Sequence, residues 1–184
     1  MLVTAAWLTV FAASGVLAED AAGWRDAQGK QVPDSDSRKS SKGFGGMILL
    51  TPDADWQEKW ERPETPRFNT TDKVKTGGNI VALVFFTNPA LDKNGHMRIL
   101  CDIRLTRPDG SVSTDVKDEV CAEGPIQGDL HNVRLVKHLM GFVGEATDAP
   151  GVWTFEYELT DAVRDASVTV KASFTYENTA NSRT

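Results

Sequence analysis

Imidazole and thiol chemistry in this 184-residue chain has to be built from three histidines, His96, His131 and His138, and two cysteines, Cys101 and Cys121. No H-E-x-x-H segment occurs, and neither the His131–His138 interval nor either cysteine falls at a zinc-ligand spacing. His96 follows Asn94-Gly95, a hairpin-type turn signal, which makes it a turn residue rather than a ligand. A nucleophile elbow, G-x-S-x-G, is absent, and Ser113 and Ser167 fall on strand faces that should be solvated. Gly43, Gly45 and Gly46 precede a strand instead of opening a helix, so they do not form a phosphate loop. Asp53 and Asp55 lack the remaining ligands of a calcium loop and have Lys59 close behind them, so they read as turn formers. Asn69-Thr70-Thr71 matches a glycosylation sequon, which matters only in a eukaryotic secretory pathway. No catalytic residue, metal ligand or cofactor site is assigned.

Two tryptophans carry a different kind of chemistry. Trp56 and Trp60 stand four apart in the charged stretch Asp55 to Arg62, so on one helical turn they share a face. Amphipathic rings beside Arg62 make a composition common at binding hot spots. The same rings could instead lie down as a lid over the open end of a β-domain. On the first reading, replacing Trp60 and Arg62 with Ala weakens association and leaves the unfolding midpoint nearly unchanged; on the second, stability falls.

Cys101 and Cys121 are the one available disulfide pair. Arg107-Pro108-Asp109-Gly110 is a turn by residue type, and a regular hairpin with Thr106 opposite Ser111 sets Cys101 against Val116. Cys121 would then lie five residues further on, roughly 17 Å at about 3.3 Å per residue, beyond disulfide reach. The bridge therefore requires the returning strand to end near Lys117, with Asp118 to Cys121 bending back over it.

The elements that hold these residues alternate with a period of two. Trp153, Phe155, Tyr157 and Leu159 share one face of a strand, as do Val168, Val170, Ala172, Phe174 and Tyr176 on the next, and Met97, Ile99, Cys101, Ile103 and Leu105 on a third. Val112, Val116 and Val120 mark a returning strand. Ile80 to Phe86 is apolar at every position, as expected of a central strand packed on both sides. Gly46–Thr51 and a stretch around Val133–Val143, whose glycines Gly141 and Gly144 favour strand over helix, bring the expected count to seven. Helical periodicity is confined to a possible single turn at Asp55–Glu61. Strands separated by turns, without intervening helices, predict an all-β, seven-strand antiparallel sandwich.

Over residues 45 to 176 this layout resembles bacterial extracytoplasmic immunoglobulin-like or fibronectin-III-like β-sandwich domains, above all in Asp148-Ala149-Pro150-Gly151-Val152-Trp153 leading into a Trp-bearing strand that ends at Asp161. The chain departs from antibody-type domains in having no cysteine near Ile80 or Tyr157. The resemblance implies a scaffold for binding or assembly and carries over no functional residue.

Residues 1–18 are uncharged and largely apolar and end in Val16-Leu17-Ala18 before Glu19-Asp20, which reads as a signal peptide cleaved after Ala18, although no basic residue precedes the apolar run. Residues 19–43 read as a flexible polar arm with Trp24 as its one adhesive side chain, 44–176 as the immunoglobulin-like β-sandwich, and 177–184 as a flexible tail. A net charge of −6 works against nucleic-acid binding and against adhesion to anionic membranes. The resulting expectation is a periplasmic or secreted, non-catalytic binding or assembly module whose partner is another envelope or secreted protein. A small-ligand or carbohydrate-binding domain using Trp56 and Trp60 is the alternative, and a hydrolase a more distant one. Alternation of loops between two ends of a sandwich should gather 52–79, 107–110 and 143–151 at one end, which collects Trp56, Trp60, Arg62, Arg67, Arg107, Glu145 and Asp148 and where Trp56, Trp60, Arg62 and Arg107 form the expected partner-binding surface.

Overall fold

The computed structural model describes residues 24–25 and 28–179, so the expected signal peptide and most of the expected C-terminal tail lie outside the described residues. The chain runs β1 (Arg38–Ser41), β2 (Phe44–Thr51), α1 (Trp56–Glu61), β3 (Lys73–Lys75), β4 (Asn79–Thr87), β5 (His96–Thr106), β6 (Val112–Pro125), β7 (Arg134–Leu135), β8 (Met140–Val143), β9 (Gly151–Asp161) and β10 (Ala166–Glu177). Two sheets form from these strands. The first has the order β1-β2-β4-β7, with β8 also pairing β4, and the second has the order β3-β10-β9-β5-β6. The all-β, two-sheet expectation holds. The expected seven strands become ten among the described residues, because β1 and β3 are short polar strands without an apolar row and the Val133–Val143 stretch divides in two. Pairing is also not wholly antiparallel, since β3 runs parallel to β10.

Alternation does what it must at the interface between the sheets. Trp153, Phe155, Tyr157 and Leu159 of β9, Val168, Val170, Phe174 and Tyr176 of β10, and Ile99, Cys101, Ile103 and Leu105 of β5 are all buried. Ile80, Ala82, Val84 and Phe86 of β4 face them from the other sheet in the same cluster. The intervening β4 residues Leu83 and Phe85 are equally buried but belong to a second cluster with Trp24, on the opposite face of that sheet. The unbroken apolar run of β4 therefore serves two layers.

The hairpin of β5 and β6 resolves the cysteine geometry differently from the expectation. Instead of ending near Lys117, β6 continues to Pro125 and absorbs extra residues at three register shifts, lying between Thr106 and Leu105, between Ile103 and Cys101, and between Leu100 and Ile99. Each shift is a bulge that advances β6 relative to its partner. The first two shifts, together with Thr106 standing opposite Val112 rather than Ser111, set Cys101 against Glu119 instead of Val116, and the third falls at Cys121 itself, whose disulfide to Cys101 spans 5.8 Å between Cα atoms. The middle bulge is held by Asp102, whose carboxylate accepts from the Asp118 amide at 3.0 Å and from Lys117 Nζ at 2.9 Å while Asp118 adopts a φ of 55°.

The polar arm is only partly as expected. Trp24 is buried, its indole N–H donating to the carbonyls of Gly46 at 3.1 Å and Lys39 at 3.2 Å. Gly45 makes this possible, since a Cβ there would stand 3.1 Å from the indole nitrogen and 2.8 Å from a Thr87 methyl. An arm with a single large apolar residue is ordered here because that residue finds a prepared seat. The arm also ties the sheets at one margin, where the Lys171 amide donates to the Asp36 carbonyl at 2.7 Å. At the opposite margin, residues 137–139 leave the sheet between β7 and β8, after Val136 has bonded to the Val84 carbonyl, and the Lys137 amide donates to the Cys121 carbonyl at 2.9 Å.

Loops gather at two ends, with one exception. At one end Gly77 and Gly78 exchange backbone bonds with Gly144, Gly151 abuts Pro108, and Arg107 lies over the Trp153 ring. At the other end the fully buried Asp161 carboxylate accepts from the amides of Ala90 at 2.7 Å and of Val163 and Arg164 at 3.1 Å. Arg164 there donates to the carbonyls of Lys42 and Asn88. The Asn94-Gly95 turn lies in a connection between sheets, β4 to β5, rather than in a hairpin. The exception is the segment after β2, which leaves its end and crosses the outer face of the first sheet.

Candidate functional site

A six-residue helix has too few internal hydrogen bonds to persist alone, and α1 has no side-chain cap at Asp55. It is held from below by packing. Trp56 and Trp60, half-buried, pack with Phe68 against the cluster of Leu83, Phe85 and Trp24; the Trp60 and Phe85 ring centroids are 5.3 Å apart and those of Phe68 and Phe85 6.4 Å. The lid reading is thus right about burial and wrong about place, for the rings cover a sheet face, not the open end of the sandwich. Leu83 and Phe85 would otherwise present a bare apolar strip to water.

A polar staple closes the segment on itself. Asp53 accepts from Lys59 Nζ at 2.8 Å, from the Asn69 amide at 2.9 Å and from Asn69 Nδ2 at 2.7 Å, so one carboxylate joins both limbs of the excursion. Asp55 adds an ion pair to Lys59 at 3.0 Å. The hydrogen bonds from Lys59 and Asn69 hold the Asp53 carboxyl down at about 2. The same bond raises Lys59, keeping both members charged. The Asp53–Asp55 pair is a turn device, as expected, and its lone pairs are used by nitrogen donors. Asn69, the sequon residue, has its side-chain amide committed to the staple.

Above this base lies a groove of about 270 Å³ lined by Lys59, Arg62, Glu64, Thr65, Pro66 and Arg67. Lys59 is neutralised by the two aspartates, and Arg62 is paired with Glu58 at 2.5 Å, an i,i+4 pair exposed on both sides. Glu64 and Arg67 are exposed and have no hydrogen-bond or ion-pair partner among the described residues. Of the expected surface, Trp56, Trp60 and Arg62 therefore come together. Arg107 does not join them: it lies 5.9 Å over the Trp153 ring at one end and donates to the Val112 carbonyl, because the loop count places turns at ends while the Trp segment has moved to a face. Arg67, expected at the same end as Trp56, Trp60 and Arg62, lines the groove with Arg62, whereas Glu64 and the Asp53–Asn69 staple were not singled out from the sequence as parts of one site. The i,i+4 spacing of Asp55–Lys59 and Glu58–Arg62, with Pro63 and Pro66 behind, is the signal that marks them.

The histidines are dispersed. His96 closes a turn through its amide to Asp92, His131 pairs with Asp129, and His138 stands 3.9 Å from Glu119. Among the described residues, no group of three or more His, Cys, Asp or Glu could hold a metal ion. The outer face of the second sheet has a contrasting character. Lys171, Glu156, Arg104, Asp115, Lys117 and Asp102 form a ladder of alternating charge across four strands, with hydroxyl pairs Thr154–Ser173 and Thr160–Ser167 beside it. Charges there are spent on one another.

No protein-family model matches the chain, and no curated protein sequence does. Among solved structures it is similar to a family 123 glycoside hydrolase from Clostridium perfringens, at 11% identity and a TM-score of 0.36 over 73% of this chain and 27% of that one. It is also similar to a Niemann-Pick type C2 protein from Japanese carpenter ant, at 12% identity and a TM-score of 0.35 over 71% of this chain and 89% of that one. The chain thus spans about a quarter of the glycoside hydrolase.

Proposed function

We propose that this chain is an exported, non-catalytic binding or assembly module, built on an immunoglobulin-like sandwich, that acts on another envelope or secreted protein through the groove above α1. The observation that carries this reading is the stapled segment itself. A sheet scaffold presents a short loop whose apolar side is locked down and whose charged side is left open, which is how rigid scaffolds deploy recognition loops. The Cys101–Cys121 bridge favours an oxidising compartment, periplasmic or extracellular. The alternative of a carbohydrate or small-ligand platform built on Trp56 and Trp60 is less favoured, because both rings pack into the second cluster and offer little face for stacking.

Capture from envelope extract tests the reading. The full exported chain should retain a partner that the Arg62→Ala/Arg67→Ala double variant loses, while Arg98→Ala, which breaks a pair with Glu123 on the second sheet, retains it. Equal capture by all three would remove the groove from the function, and a defined hydrolytic activity in the purified chain would overturn the non-catalytic assignment.

A further inference from the structure

We infer that the groove above α1 takes a single carboxylate from an acidic side chain of the partner, with Arg67 as its anchor. This rests on the binding-module reading and specifies its chemistry. Of the three cations lining the groove, Lys59 is neutralised by two aspartates and Arg62 has one nitrogen engaged by Glu58, whereas Arg67 has no partner among the described residues. A free guanidinium offers a planar fork of donors that matches a carboxylate with two parallel hydrogen bonds. Thr65 adds a neutral hydroxyl at the same groove.

The surroundings select for charge. Glu64 lines the groove unpaired, Glu61 sits on the adjoining helix, and the whole chain carries −6, so a dianion or polyanion is repelled more strongly than a single negative charge. About 270 Å³ fits one side chain with its flanking backbone and is small for a cofactor. The groove is also preorganised. Lys59 is fixed through Asp53 to Asn69, Pro63 and Pro66 limit the backbone between, and Phe68 is seated on Phe85, so the backbone frame is already ordered and the Arg67 side chain is what remains to be fixed on binding.

Chemical-shift titration of the isotopically labelled full exported chain provides the test, with acetyl-Gly-Glu-Gly-amide as the probe. Acetyl-Gly-Lys-Gly-amide and inorganic phosphate serve as comparison probes. Shifts from the Glu peptide should concentrate at residues 59–67. Arg67→Gln should weaken binding at least about tenfold, the scale of losing a charge-assisted hydrogen-bond pair. Arg67→Lys, keeping charge but not the fork, should lose several-fold, and Glu64→Gln should tighten binding. Unchanged affinity in Arg67→Gln, equal response to the Lys peptide, tighter binding of phosphate, or shifts spread evenly over Arg98 and Lys171 would each overturn the inference. Partner capture that still depends on Arg62 and Arg67 while the Glu peptide fails would sink the carboxylate assignment alone. A peptide that binds where no partner is captured would instead sink the module reading.

Discussion

Trp60→Ala separates the two roles that a tryptophan in a charged helix can have. Trp60 is half-buried in the second cluster, with its ring 5.3 Å from that of Phe85, whereas Arg62, two residues on, is 54% exposed in its side chain and pairs only with Glu58. Truncating a fully buried Trp to Ala costs about 3–5 kcal/mol. Partial exposure lowers the transfer part of that cost, while the loss of the Phe85 ring contact, about 0.5–1.5 kcal/mol, is retained. The balance is a loss of about 2–3 kcal/mol for Trp60→Ala. Arg62→Ala should lose no more than about 0.5 kcal/mol, the value of an exposed i,i+4 pair. For a domain of this size each kcal/mol is about 2–4 °C in Tm, giving a fall of roughly 4–12 °C for the Trp variant and little change for the Arg variant. Urea unfolding followed by far-ultraviolet circular dichroism reads both without relying on the removed fluorophore. A Trp60→Ala protein as stable as the wild type would refute the two-layer account of β4, and an Arg62→Ala protein destabilised equally would refute the division of labour on α1.

Asp53 has a folded-state carboxyl depressed to about 2 from 3.8, so its contribution is complete above pH 4 and disappears as pH falls toward 2; across that window wild-type stability should drop more than that of Asp53→Asn, measured by acid-titrated denaturation. Both sulfurs of the Cys101–Cys121 bridge belong to fully buried residues, and the bridge closes a separation of 20 residues. Replacing both cysteines with Ala should therefore cost about 3 kcal/mol from loop entropy, read in the urea midpoint. Asp161→Asn substitutes an amide, half donor, for a fully buried carboxylate that accepts three backbone amides, and should cost about 3 kcal/mol with loss of hydrogen-exchange protection at Ala90, Val163 and Arg164.

Strands β4, β5, β9 and β10 were legible because alternation is a local record of a global fact, the presence of one dry face. β4 was legible even as a two-sided strand. What escaped was set by pairs distant in sequence. β3 has only Val74 as a buried apolar residue, and it exists because Tyr176 and its neighbours offer β10 as a template. Trp24 appeared adhesive without a destination, since its seat is an absence of side chain at Gly45, which no apolar periodicity announces. Bulges defeated the register arithmetic for the same reason. Ser113, Lys117, Asp118 and Cys121 do not differ in type from ordinary strand residues, and at the middle bulge it is the Asp102 carboxylate across the hairpin that fixes where the extra residue goes. Within the site, Trp56, Trp60 and Arg62 were legible from spacing. Their position on a face was not, because nothing in residues 52–72 states that the chain turns back over its own sheet.

The two margin hydrogen bonds, Lys171 to Asp36 and Lys137 to Cys121, have a consequence for how the molecule opens. A sandwich joined only through its side-chain interior can hinge apart like a book, exposing one sheet while the other survives. Here both spines are stitched by backbone, and the second stitch ends on a half-cystine, so it is anchored to β5 through a covalent bond as well. Separation of the layers must break the stitches and the interior together. Native-state amide exchange should accordingly report β4 and β9, one from each layer, with the same opening free energy and the same denaturant dependence, as members of a single cooperative unit.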